Sequence, residues 1–198
     1  MTELAVLQAV RLKGRTTRAD LAETLATDPG EIVERLAASG YLIDEATLRL
    51  SPDGRARLVT LLAEERTGAD PAVLAAAYDD FRGVNADFKA LVTDWQVKGG
   101  TPNAHDDAEY DADVLSRLDG VHARVAPIID AVGAQLPRLS AYSVKLAAAL
   151  DKVKAGETTW LTRPLVDSYH TVWFELHEEL IGAAGLTREE AARSGDAQ

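Results

Sequence analysis

Leu74, Phe81, Phe88 and Trp95 stand seven residues apart, and Ala77, Val84 and Leu91 fall between them, so that apolar positions alternate at steps of three and four. This heptad seam predicts one long helix over residues 71–98, with an apolar face that must be covered by other helices. Asp70 and Pro71 supply an N-cap and a first-turn proline, and Gly99-Gly100 supplies a stop. After the loop TPNAHDD, Val114, Leu118, Val121, Val125, Ile128 and Val132 repeat the spacing, with Pro127 as an expected kink. Residues 138–155 carry Leu139, Tyr142, Leu146, Leu150 and Val153 up to Gly156, and residues 163–183 carry Val166, His170, Trp173, His177 and Leu180 on one stripe. Four amphipathic helices with no strand signal between them predict an antiparallel helical bundle over residues 71–190.

Upstream the pattern shortens. Leu4, Val6, Leu7 and Val10 predict a helix over residues 3–12 that ends near Gly14, and a second helix starts near Thr17 and buries Leu21, Ala22 and Leu25. Asp28-Pro29-Gly30-Glu31 reads as an N-cap acid, a proline at the first helical position and a capping-box glutamate. The helix they open buries Ile32, Val33 and Leu36 and stops at Gly40. Leu42-Ile43 and Leu48-Arg49-Leu50 then predict two short strands joined by Asp44-Glu45-Ala46-Thr47, before Ser51-Pro52 caps a helix carrying Leu58, Leu61 and Leu62.

This order of parts over residues 1–66, and above all GYL, a short hairpin and LRLSPDGRARL, resembles the winged helix-turn-helix end of MarR-like bacterial transcriptional regulators. The resemblance implies a mainly α protein, with a small β-hairpin wing in its first domain and the helical bundle after it. It also implies double-stranded DNA as a partner, with base contacts on the exposed face of the third helix, at Gly30, Glu31, Glu34, Arg35 and Ala38. Arg15, Arg18, Arg35, Arg49, Arg55 and Arg57 are then the candidate DNA-binding cations. In the second half, VTDWQ (92–96) and SYHTVWFELHEELIG (168–182) are loosely similar to a helical domain of bacterial proteins linked to phosphoenolpyruvate-utilising enzymes.

Charge opposes the DNA expectation. The chain carries a net charge of −11. Residues 1–66 hold nine basic and eleven acidic residues, net −2, and the remainder holds twelve and twenty-one, net −9. DNA-binding domains draw most of their affinity from releasing counterions, which needs a basic surface. Glu31 and Glu34 would meet phosphates with like charge, and a carboxylate about 4 Å from a phosphate costs on the order of 1 kcal/mol even in water. The alternative is a regulatory or adaptor module whose winged helix contacts protein.

Other classes find less support. There are no cysteines, and no Gly-rich phosphate loop, nucleophile elbow or HExxH string occurs, so the expectation is a non-enzyme without a cofactor. No apolar run reaches membrane-span length and MTELAVLQAV lacks a basic leader, which predicts a cytoplasmic protein without membrane contact. All four histidines lie in the acidic half. His105 falls in a polar loop, whereas His122, His170 and His177 interrupt apolar stripes. With Asn85 and Trp173 they are candidate ligand-binding residues for a small-molecule effector, or else hydrogen-bonded members of the core. Asp167 and His170 have the i, i+3 spacing of helical metal ligands, with His122 as a third donor, but His170 and His177, seven apart, are separated by about 10.5 Å along a helix and no metal is expected. A homodimer is expected through the bundle.

Overall fold

In the computed structural model, which describes residues 1–164 and 166–193, Thr2 accepts the Ala5 N–H and opens α1 (Glu3–Lys13), which ends at Gly14 with φ 71°. α2 (Arg18–Leu25) begins with a capping box: the Thr17 hydroxyl accepts the Asp20 N–H while Asp20 reaches back to the Thr17 N–H. α3 (Gly30–Ala38) starts one residue later than its sequence suggests. Pro29 takes the N-cap place, and Asp28 accepts the Gly30 N–H at 2.9 Å, so the capping box expected from Asp28 and Glu31 does not form. Proline's fixed φ suits the turn, but its side chain has nothing with which to cap a helix.

β1 (Leu42–Asp44) pairs antiparallel with β2 (Leu48–Leu50), Leu42 facing Leu50. The backbone of Thr16, between α1 and α2, pairs with Leu48 on the other side of β2, through N–H to O distances of 3.2 and 2.7 Å. α4 (Pro52–Arg66) follows at once, with the Ser51 hydroxyl accepting the Gly54 N–H and donating to the Gly40 carbonyl. Gly54 is required: a Cβ there would lie 2.0 Å from the Tyr41 carbonyl oxygen. Val6, Leu7, Val10, Leu21, Val33, Leu36, Leu42, Leu48 and Leu58 make an aliphatic core, each contributing about 1.5–3 kcal/mol by burial. These elements form one compact unit, Met1–Ala69; a second begins at Asp70.

In the second unit Asp70 caps α5 (Pro71–Gln96), which carries the heptad seam and buries Leu74, Tyr78, Phe81, Phe88, Leu91 and Trp95. The helix stops two residues short of the expected 98. Val97–Lys98 (β3) leave it to pair with Thr101–Pro102 (β4), and Gly99 and Gly100 take positive φ in the turn between them. α6 (Ala108–Gln135), capped by Asp107, runs on through Pro127. A single 3₁₀ turn (Pro137–Ser140) leads into α7 (Ala141–Lys154), so the helix expected from 138 begins at 141. The last long helix also differs. After a 3₁₀ turn at Thr158–Leu161, α8 spans Tyr169–Ala183, capped by Ser168, rather than 163–183; Val166 precedes it and Leu165 lies outside the described residues. The sequence reading overlooked the strong N-cap at Ser168 and the short α9 (Arg188–Arg193). The described chain is mainly helical with two small antiparallel hairpins, and none of its described helices is long and apolar enough to cross a membrane.

Candidate functional site

Two groups of residues carry the functional expectations, one in each unit. In the first unit the capping box places Arg18 at the start of α2, where the α3 surface and the hairpin are both within reach. Its guanidinium donates to Asp44 at 2.5 Å and lies 4.0 Å from Glu34. The bond to Asp44 raises its pKa above the ordinary arginine value. Arg49 on β2 reaches across the hairpin turn to Glu45 at 3.4 Å. Arg57 on α4 donates to Glu3 on α1 at 2.9 Å, which likewise raises its pKa. Three of the six candidate cations are therefore already held by carboxylates of the same unit. Arg15, Arg35 and Arg55 are exposed and form no ion pair among the described residues.

The outer face of α3 presents Glu31, Glu34, Arg35 and Ala38, all exposed, while Gly30 is half-buried against Asp28. Together with Asp28, Asp44 and Glu45, this surface holds five carboxylates against Arg15, Arg18, Arg35 and Arg49. An arginine that turned from its carboxylate to a phosphate would leave that carboxylate beside the phosphate, so each exchange sets repulsion against attraction.

In the second unit α5 supplies the seam rings Phe81, Phe88 and Trp95, and α8 supplies Tyr169 and Trp173. Trp173 donates its Nε1–H to Asn85 Oδ1 at 2.9 Å, both residues buried. Phe88 packs against Trp173 (ring centroids 4.4 Å), Tyr169 (5.5 Å) and His170 (6.0 Å). Phe81 touches Trp173 on one side and His177 on the other. His122, on α6, sets its Nδ1 3.2 Å from the Tyr169 hydroxyl. Burial, followed by the nearby Lys154, lowers the His122 pKa below 6.5 against the pull of Asp119 and Asp151. Burial also pushes the Tyr169 hydroxyl well above its usual range, so at neutral pH it is a donor. His170 is exposed at the edge of Phe88, and the desolvated side of its ring lowers its pKa as well.

The five expected ligand-binding residues thus border one aromatic cluster, in which Phe88 links Trp173, Tyr169 and His170 and Phe81 links Trp173 and His177. Asn85 is matched with Trp173, His122 with Tyr169, His170 with Phe88 and His177 with Phe81 and Tyr78. Asp167 turns to Lys145 at 3.0 Å rather than toward His170, and among the described residues no three carboxylate or histidine groups are placed to hold a metal. The His105 ring lies tilted against Trp95, centroids 4.3 Å apart, with its Nδ1 2.9 Å from Asp111, in a loop where its φ is 55°.

Sequence reasoning missed a buried ionic cluster behind these rings. Arg138, on the 3₁₀ turn, lies 2.6 Å from Glu179, which is 3% exposed, and the Tyr142 hydroxyl sits 3.5 Å from the same carboxylate. The available signal was the i, i+4 pair Glu175 and Glu179, on the side of α8 that also carries Leu176 and Leu180. Comparison of the chain with family models, curated proteins and solved structures gives no match.

Proposed function

We propose that the first unit is a winged helix and that the chain is a two-domain bacterial regulatory protein whose winged helix docks on a basic protein surface rather than on DNA. The Thr16–Leu48 backbone pair supports the fold, because it adds a third extended segment to the hairpin and ties the α1–α2 connection to the wing. The observation that carries the function is Arg18. This arginine, within reach of both α3 and the hairpin, is bound to Asp44 and lies beside Glu34, which offsets its charge on the surface between them. Electrostatic complementarity then selects a cationic partner and excludes a polyphosphate.

The test uses the full chain with two probes, an arginine-rich peptide and duplex DNA, at about 50 mM salt. The peptide binds, binding weakens as salt rises, and E31Q/E34Q weakens it further; duplex DNA does not bind. Salt-dependent duplex binding by the wild type, with no peptide binding, overturns the proposal.

A second reading, as a DNA-binding transcriptional regulator, is favoured by Arg15, Arg35 and Arg55, which are exposed and free of ion pairs among the described residues. On that reading duplex affinity falls with a log–log salt slope of about −3, one released counterion per free arginine, and E31Q/E34Q tightens binding. In both readings the second unit is the regulatory half. A small-molecule effector of the expected site has to part Trp173 from Asn85 or His122 from Tyr169, so its binding is read directly as a change in tryptophan emission.

A further inference from the structure

Between α5 and α6 lies an open groove of about 610 Å³ whose floor is formed by the buried Ala77, Val84 and Ile128. Val73, Ala76 and Val84 of α5 and Ala123, Pro127 and Ala131 of α6 give it an apolar lining of mostly small side chains. From Val73 to Val84 the wall extends about 16 Å along the helix axis, the length of three helical turns. Small residues let a neighbouring helix approach closely, whereas small-molecule sites enclose most of their ligand, which an open groove does not do. Pro127 has no N–H to offer the Ala123 carbonyl, so the α6 wall also carries a backbone acceptor without its usual intrahelical donor.

The charges on the two walls decide the occupant. Asp80 on α5 and Arg124 on α6 both line the groove. Asp80 is exposed and has no ion-pair partner among the described residues, while Arg124 lies against Asp87 as an exposed pair. One acid on one wall and one base on the other is the arrangement that complements itself under a two-fold axis, because an isologous interface sets each residue of one copy against the counterpart of its partner in the other. We infer that this groove is filled by the α5–α6 face of a second copy of the chain, with Asp80 of each copy paired to Arg124 of the other. The four helices then make one continuous bundle across the axis.

The arrangement has a specific consequence under charge reversal. In D80R alone the two contacts become Arg against Arg, and in R124D alone they become Asp against Asp, so each variant repels itself. A one-to-one mixture of the two variants restores both contacts as opposite charges. The test is sedimentation equilibrium on the full-length wild type, on each variant and on the mixture, with circular dichroism showing that all are folded. The wild type dimerises, each variant alone dimerises about tenfold more weakly or worse, and the mixture recovers the wild-type affinity. A monomeric wild type, variants that dimerise as the wild type does, or a mixture that fails to recover would each overturn the inference. Uptake of a small apolar probe by the wild-type groove without self-association counts against it in the same way.

Discussion

Residues 1–69 bury aliphatic side chains and keep their ion pairs at the surface, whereas the second unit buries aromatic rings and takes charge inside with them. In the first, Arg18–Asp44, Arg49–Glu45 and Arg57–Glu3 all remain substantially wetted. In the second, Arg138 and Glu179 are 19% and 3% exposed, and Asn85 and Trp173 make their hydrogen bond in the buried core. A wetted pair adds little stability and is easily exchanged for another partner, while a buried pair is costly to break. The first unit therefore has a surface whose charges are free to change partners, and the second has an interior that specifies one packing.

The largest expected effect lies in the buried pair. Glu179→Ala breaks the buried pair with Arg138 and lowers the stability of the second unit by about 3–5 kcal/mol, measured by urea unfolding followed through tryptophan emission. If the loss is as small as that of a surface pair, the contrast between the units fails. Gly54→Ala should cost the first unit about 3 kcal/mol, because the added methyl meets the Tyr41 carbonyl and the backbone must move. Amide exchange separates the units here: α1 to α4 lose protection while α5 to α8 keep theirs. Trp173→Phe leaves Asn85 Oδ1 without its donor and should cost about 1–3 kcal/mol, whereas Trp173→Phe combined with Asn85→Leu recovers part of the loss.

Acid sharpens the contrast further. His122 and His170 titrate below 6.5 in the folded chain, so the unfolded chain takes up protons first. Their contribution is fully present above about pH 6.5 and is lost as pH falls through that value toward the folded pKa. The first unit has no histidine and should show no such slope, and His122→Gln with His170→Gln should flatten the slope of the second. The smallest effect is expected at Arg57, where Arg57→Gln should move Tm by less than about 2 °C because the pair with Glu3 is solvated.

Periodicity carried most of the helices. The heptad seam from Leu74 to Trp95 and the 4-3 spacing from Val114 to Val132 depend on burial, and burial leaves its mark directly in the order of residues. Strands were legible at Leu42-Ile43 and Leu48-Arg49-Leu50 from short apolar segments on either side of a polar turn, and the first runs one residue further, to Asp44. Boundaries were harder because caps compete. Ser168 caps the Thr171 N–H more effectively than the site chosen by apolar pattern, which moved the start of α8 from 163 to 169, and Asp28 turns onto the Gly30 N–H, which left α3 to begin at Gly30. The stripe of seven-spaced residues on α8 misled for a geometric reason. A three-residue step falls about 60° short of a full helical turn, so His170 lies that far round from Trp173 and reaches the exposed edge while Trp173 and Leu180 stay inside. The Arg138–Glu179 pair depends on a 3₁₀ turn meeting a helix about forty positions later, and spacing along the chain holds no trace of that meeting.

The division of rings between the units bears on how the molecule is observed. Trp95, Trp160 and Trp173 all belong to the second unit, and the first has only Tyr41 among its aromatic residues. Tryptophan emission therefore reports one half of the chain and is silent about the other. Trp173 lies in van der Waals contact with Phe81 and Phe88 and is bonded through its indole N–H to an amide, so its emission maximum is set by Asn85 and its neighbours rather than by water. A partner that docks on α3 and the hairpin leaves this signal untouched unless binding is transmitted between the units. A shift in that emission on adding such a partner is then, by itself, a measurement of communication between the two halves of the chain.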